Sequence, residues 1–283
     1  MPTIDPDQVF SGVTLIVVPH MDDEALACGG TIALLSRKDR IHLVYATDGM
    51  KAPAPIVPWR DAISPDLGTA RMQEARAAMG YLGVPETNTE FLSLPEGKLG
   101  KSRRRLVSAL RDTIARTNPS QILMPFRYDR HTDHLALNHA VMAVFREGTY
   151  QGELFEYFVY YRCRLLPAKD IREYIRPSHL LRVNIESGAE RKRAALDHYK
   201  SQTTRFYAWQ TRPNLTSQLL DEVSSEPEVF LRYEASAPGP AVFDRCATWI
   251  RIAHRLEPVM KKRKDQIVAL CTRGLGRKGR SDG

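Results

Sequence analysis

Residues 17–30 read VVPHMDDEALACGG: an apolar run stops at Pro19, and His20, Asp22, Asp23 and Glu24 arrive before the next apolar segment begins. The run itself, VTLIVV over 13–18, is short, rich in β-branched residues and uninterrupted, the pattern of a strand buried on both faces. Residues 24–37 then repeat apolar positions at helical spacing. A buried strand, a polar junction and a helix form the first unit of a parallel α/β sheet.

The unit recurs. IHLVYAT (41–47), TEFLSL (89–94) and QILMP (121–125) read as strands, and residues 69–83, 102–117 and 133–146 as the helices that follow them. Four strand–helix units in series imply right-handed crossovers and a Rossmann-like, mostly parallel sheet with helices on both faces. Further strands are expected at 153–161 and 179–185 and a helix over 188–201. Residues 203–240, rich in Ser, Thr, Pro and Glu, are the least regular part and are expected to cap the body.

Ligands of such sheets bind outside the carboxyl ends of the strands, where strand order reverses. His20, Asp22 and Asp23 follow the first strand, Asp48 the second, Glu96 the third, and RYDRHTDH (127–134) the fourth. With strand order 3-2-1-4, the first and fourth clusters face each other across the switch point, at the carboxyl ends. Two histidines and a carboxylate with open positions left over suit a catalytic divalent metal, most often Zn²⁺. In HMDD only one aspartate need be a ligand, which leaves the other to accept a proton from water. His131 and His134 stand three residues apart, about one helical turn, so both can face one pocket. If His134 ligates, His131 is placed to stabilise an oxyanion or protonate a leaving amine, with Asp133 as its orienting partner.

PHMDDEALACGG with the downstream RHTDHLALNHA resembles the PIG-L/LmbE family of zinc-dependent N-acetylglucosaminyl deacetylases. The TDG turn, the ARMQEARAAMGYLGV helix and the LPEGKL loop between them are similar to family elements in the same order, so the likeness spans about residues 12–202. It implies zinc ligands His20, Asp23 and His134, with Fe²⁺ as another divalent candidate. It further implies Asp22 as general base, and His131, oriented by Asp133, as the residue that stabilises the tetrahedral intermediate. Arg71 and Glu96 match sugar-contacting positions, and Asp48 of the TDG turn joins them as a substrate contact. The family proline between His and Asp is Met21 here, which removes a fixed φ from the loop. Glu96 stands where the family usually has aspartate and reaches one methylene further.

Metal, base and electrophile together define metal-assisted hydrolysis, and the resemblance implies that its substrate is an N-acetyl amide on an amino-sugar conjugate. Another amide on the same scaffold, in a thiol conjugate or an antibiotic, is the alternative, and a non-catalytic basic adaptor with a closed structural metal site is the reading from a different class. A His-x-Asp…His iron oxygenase would sit on an all-β jelly roll, which the strand–helix alternation opposes.

The remaining features bear on location. No segment approaches the ~18 apolar residues of a membrane span, the first residues do not resemble a signal peptide, and four scattered cysteines suggest no disulfide frame. A cytoplasmic protein is expected. The net charge of +8 is lopsided: residues 251–283 hold ten Lys and Arg against three acids. The organisation expected is a catalytic domain over 1–202, an extension over 203–257 that packs on it, and a basic tail over 258–283. Within the extension, Val242, Phe243, Cys246, Trp249, Ile250, Ala253 and Leu256 fall on one helical stripe expected to face the body. The tail suits peripheral contact with an anionic membrane better than nucleic acid, since no aromatic interleaving accompanies it.

Overall fold

The computed structural model describes residues 2–53, 64–234, 242–244, 247–257, 259–260 and 263. One eight-stranded sheet organises them. In chain order the strands are β1 (Thr3–Ile4), β2 (Thr14–Val18), β3 (Ile41–Thr47), β4 (Thr89–Leu94), β5 (Gln121–Pro125), β6 (Glu153–Tyr157), β7 (Leu180–Val183) and β8 (Glu228–Arg232). Across the sheet they run β1-β7-β8-β6-β5-β2-β3-β4. The four strands of the sequence reading are β2 to β5, and their observed order β4-β3-β2-β5 is the expected 3-2-1-4. All pairings among them are parallel, and β8 alone runs antiparallel to its neighbours β6 and β7.

Alternation along β2 divides the core. Ile16 and Val18 join α2 (Asp23–Leu34), α3 (Leu67–Leu82) and α6 (Ala189–Leu196) on one face, while Leu15 and Val17 join α4 (Arg103–Thr117) and α5 (Thr132–Arg146) on the other. All five residues of β2 are buried, each large apolar side chain contributing about 1.5–3 kcal/mol by leaving water. The two faces fix β2 and β5 side by side, and so bring their carboxyl ends together.

Four expectations need correction. The strand of 153–161 stops at Tyr157, and the helix of 188–201 divides into α6 and α7 (Lys200–Thr203). Residues 203–257 do not merely pack on a domain that ends at 202. They contain α8 (Ser217–Ser225) and the inserted strand β8, whose Glu228–Arg232 sits between β6 and β7. Residues 247–257 are helical, and their stripe is split: Val242, Phe243, Ile250 and Ala253 are buried, but Trp249 and Leu256 are 47% and 48% exposed. Cys246, and the tail apart from residues 259, 260 and 263, lie outside the described residues.

Candidate metal-dependent active site

The turn from β2 into α2 carries His20, Asp22 and Asp23, and the N-terminus of α5 carries His131, Asp133 and His134. Because β2 pairs with β5, the two clusters meet at the switch point. His20 Nδ1 and His134 Nε2 each lie 3.1 Å from Asp23 Oδ2, and 3.3 Å from each other. Tetrahedral Zn²⁺ with bonds of about 2.0–2.1 Å holds its ligand atoms about 3.3–3.4 Å apart, so this triangle has nearly the edge such a cation requires. His131 also brings a ring nitrogen within 4.8 Å of nitrogens of His20 and His134, a looser spacing.

The outer nitrogens are held as well. His20 Nε2 lies 3.2 Å from Asp133 Oδ2, and His134 Nδ1 lies 3.2 Å from Asp129 Oδ2. Asp133 also accepts the backbone N–H groups of Gly97 (2.6 Å) and Leu99 (3.0 Å). His20, Asp23, Asp129, Asp133 and His134 are all buried. Three carboxylates around two imidazoles leave the cluster negative when the rings are neutral, a donor set that fits a divalent cation. Hydrogen bonds to Asp133 and Asp23 outweigh the downward pull of burial and push His20 up to about 9. Burial also opposes protonation of His134, yet Asp129 and Asp23 hold it well above its usual value. The same carboxylates that favour protons on these rings would favour a divalent cation in their place, so the two compete for one site.

Asp133 does not orient His131, because its carboxylate is taken by His20 and by the loop after β4. Its backbone N–H instead donates to His131 Nδ1 at 3.2 Å. That bond leaves Nε2 as the protonated nitrogen of a neutral ring. Burial, with His20 and His134 nearby, lowers His131 to about 4, so the expected protonated form gives way to a neutral hydrogen-bond donor.

Asp22 lies beside the triangle with φ 141°, in backbone space that L side chains rarely adopt. Its N–H donates to Glu24 Oε2 at 3.2 Å, and Glu24 Oε1 accepts the Tyr199 hydroxyl. Burial pushes the Asp22 carboxyl up to about 8, with repulsion from Asp23 adding and Arg71 opposing. Burial likewise raises Glu24 to about 7.

The three expected substrate contacts form a network of their own. Asp48 Oδ1 accepts the N–H groups of Met50 and Glu96. Glu96 Oε2 accepts the N–H of Lys51 at 2.7 Å and Arg71 Nη1 at 3.4 Å, while its Oε1 lies 3.9 Å from His20 Nε2. Arg71, 1% exposed, is no helix-surface charge: it donates through Nη2 to the Met21 carbonyl at 3.1 Å. Met21, in the proline's place, is fully buried. Gly49, at φ 66°, admits its sulfur where a Cβ would come within 3.1 Å. Packing and Arg71 replace the missing ring constraint. The sequence reading missed Asp129, Glu24 and Tyr199. Asp129 was visible in RYDRHTDH, but nothing in its spacing to His134 marked it.

The model of the PIG-L family, described as GlcNAc-PI de-N-acetylase, matches residues 15–145, a span that holds every residue of the triangle. A curated relative in Escherichia coli K12, described as the uncharacterized deacetylase YaiS, is 30% identical over 138 residues, which is 47% of this chain and 67% of the relative. The chain belongs to the PIG-L family. Among solved structures, N,N'-diacetylchitobiose deacetylase from Pyrococcus horikoshii superposes with a TM-score of 0.56 at 18% identity, over 81% of this chain and 86% of that one. GalB, a 4-carboxy-2-hydroxymuconate hydratase from Pseudomonas putida, gives 0.50 at 19% identity, over 79% and 96%. These likenesses are of fold. With a hydratase among them, the reaction of this PIG-L member has to be argued from its site.

Proposed function

We propose that the protein is a metal-dependent hydrolase that removes the N-acetyl group from an amino-sugar conjugate of the N-acetylglucosamine type. The observation that carries the reading is the triangle of His20 Nδ1, Asp23 Oδ2 and His134 Nε2 with a second, unligated carboxylate beside it. Those three residues would hold the cation, Zn²⁺ by donor type. When bound, it supplies Lewis acidity toward a carbonyl oxygen and makes water a stronger acid. Asp22 accepts the proton that water loses as its oxygen attacks the acetyl carbonyl. His131, with Nδ1 engaged by backbone, donates from Nε2–H to the oxygen on which negative charge develops. The C–N bond breaks, and the carboxylic acid form of Asp22 passes its proton to the departing amine, leaving acetate and a free amino sugar. A carboxyl group raised by burial suits both halves of that transfer.

Tyr160 places a larger feature next to this centre. Its ring lies 5.4 Å from that of His134 and also lines a mostly apolar cavity of about 190 Å³ with Leu26, Phe158, Leu219, Val223 and Val229, to which Arg130, Arg162 and Arg172 add charge. Leu219, Val223 and Val229 come from the segment after residue 203, which supports aglycone selection by that segment. The test is acetate release from a panel of N-acetylglucosamine conjugates with apolar and polar aglycones, with Zn²⁺ added. Release from apolar conjugates first is expected. No release from any conjugate, with Zn²⁺ bound, would sink the reading.

A further inference from the structure

The helix over residues 247–257 has two distinct faces. Ile250, Ala253 and Glu257 are buried against the body. On the other side Trp249, Ile252 and Leu256 are 47%, 40% and 48% exposed, and Val259 and Met260 follow at 51% and 54%. At about 100° per residue, Trp249, Ile252 and Leu256 fall within an arc of about 60°, and the sequence spacing of Val259 and Met260 continues that stripe. Exposed apolar side chains scattered singly are ordinary, but a contiguous stripe of this kind marks a surface that something covers.

The charge around the stripe decides what covers it. Arg251, Arg255 and Arg263 are exposed, and none forms an ion pair among the described residues. The helix's one acid, Glu257, is turned inward, 2.5 Å from Arg130 Nη2. An apolar stripe flanked by unpaired arginines, with a tryptophan at its edge, has the composition of a helix that lies in a membrane interface. Trp249 keeps its ring on the surface while Nε1–H donates to the Leu165 carbonyl at 3.0 Å. The residues after 263 add more Lys and Arg by sequence.

We propose that this helix seats the protein on the surface of an anionic lipid bilayer. Trp249, Ile252 and Leu256 enter the headgroup–acyl boundary, and Arg251 and Arg255 meet lipid phosphates. Glu257 ties the helix to Arg130, the residue before His131, so a seated helix brings the candidate site close to the lipid headgroups. Attachment itself does not depend on the catalytic reading.

The experiment is sedimentation of the full chain with phosphatidylserine–phosphatidylcholine vesicles and with pure phosphatidylcholine vesicles, at low and physiological salt. Binding to the anionic vesicles is expected, weakened by salt. The double variant Ile252→Glu/Leu256→Glu and the double variant Arg251→Glu/Arg255→Glu should each bind at least about tenfold more weakly. Unfolding midpoints matching the native chain would show that both variants fold. Trp249 emission, isolated by difference against Trp249→Phe, should shift to the blue on anionic vesicles. Native protein left in the supernatant, variants that bind as the native chain does, or equal binding to both vesicle types at every salt would each overturn the proposal. Capture of a protein partner by the stripe, without vesicle binding, would overturn it too.

Discussion

The backbone N–H of Asp22 donates to Glu24 Oε2 at 3.2 Å, across a turn in which Asp22 holds φ 141°. Glu24 in turn accepts the Tyr199 hydroxyl, from a residue 175 positions along the chain. A backbone this far from favoured space persists only where its surroundings over-determine it, and here two buried groups do so. Tyr199→Phe leaves a buried carboxylate oxygen without its donor and is expected to destabilise by about 1–3 kcal/mol. It should also lower kcat with little change in KM. Denaturant unfolding beside steady-state kinetics checks both. Unchanged stability and unchanged kcat together would show that the Tyr199–Glu24 bond supports nothing at Asp22.

Asp22 should separate catalysis from metal binding. Asp22→Asn is expected to retain the cation and lose about 10²–10⁴ in rate, the usual loss for a general base. Asp22→Gly should lose the same activity while gaining on the order of 1–3 kcal/mol, because glycine relieves the strained φ. His20→Ala, Asp23→Ala and His134→Ala should lose metal outright. Metal analysis after dialysis, beside turnover, distinguishes these classes. Full turnover in Asp22→Asn would remove Asp22 from the mechanism.

The outer carboxylates should tune affinity. Asp129 and Asp133 each hold the second nitrogen of a candidate ligand at 3.2 Å. Asp129→Asn and Asp133→Asn are each expected to weaken Zn²⁺ by about 10–100-fold, as loss of such partners commonly does. Competition against a chromophoric chelator measures this. If Asp129→Asn left the affinity intact, His134 would not be oriented from behind.

Metal affinity should depend on pH with a definite sign. His20, raised to about 9, carries a proton on both nitrogens below that pH, and Nδ1 must lose its proton before it can ligate. Each step down in pH therefore strengthens the competing proton. Apparent Zn²⁺ affinity is expected to rise with pH up to at least about 9, with protons released on binding from His20 and from His134, which Asp129 and Asp23 also hold protonated. Titration calorimetry in buffers of different ionisation enthalpy counts them. Affinity independent of pH between about 6 and 9 would show that no proton leaves the site.

The parallel half of the fold was legible because β2, β3 and β5 are apolar runs buried almost throughout, and each of β2 to β5 is followed by a helix with its own period. The positions of His20, Asp22, Asp23, His131 and His134 followed from strand ends alone. What escaped depended on contacts distant in sequence. Asp133 was paired with His131 because they are neighbours in HTDH, whereas the fold carries its carboxylate across to His20. Arg71 was expected to meet the sugar, but a helical arginine gives no sign that it will be buried with its guanidinium on the Met21 carbonyl and Glu96. β8 was hidden because EVFLR is five residues long, carries a charge at each end and follows SSEP. Local pattern had little to register there, and only insertion between β6 and β7 makes it a strand.

Glu228, the first residue of β8, gives the last prediction. Its Oε1 and Oε2 accept the N–H groups of Gly30 and Thr31 at 2.7 Å each, within α2, and Oε1 also receives Lys192 Nζ at 2.7 Å. Glu228 and Lys192 are both buried. The C-terminal segment thus grips the helix that carries Asp22 and Asp23 at its start. Removing one member of a buried ion pair strands the other and typically costs about 3–5 kcal/mol, so Glu228→Ala should destabilise by at least that much. The paired change Glu228→Gln/Lys192→Met removes both charges and should recover much of the loss. Deletion from residue 203 onward, which takes β8 out of mid-sheet, should abolish folding instead of merely changing substrate preference. Unfolding curves for the three variants decide it. A truncated chain that still unfolds cooperatively and binds Zn²⁺ would show that β8 is dispensable, and that the grip on α2 plays no part in holding the site.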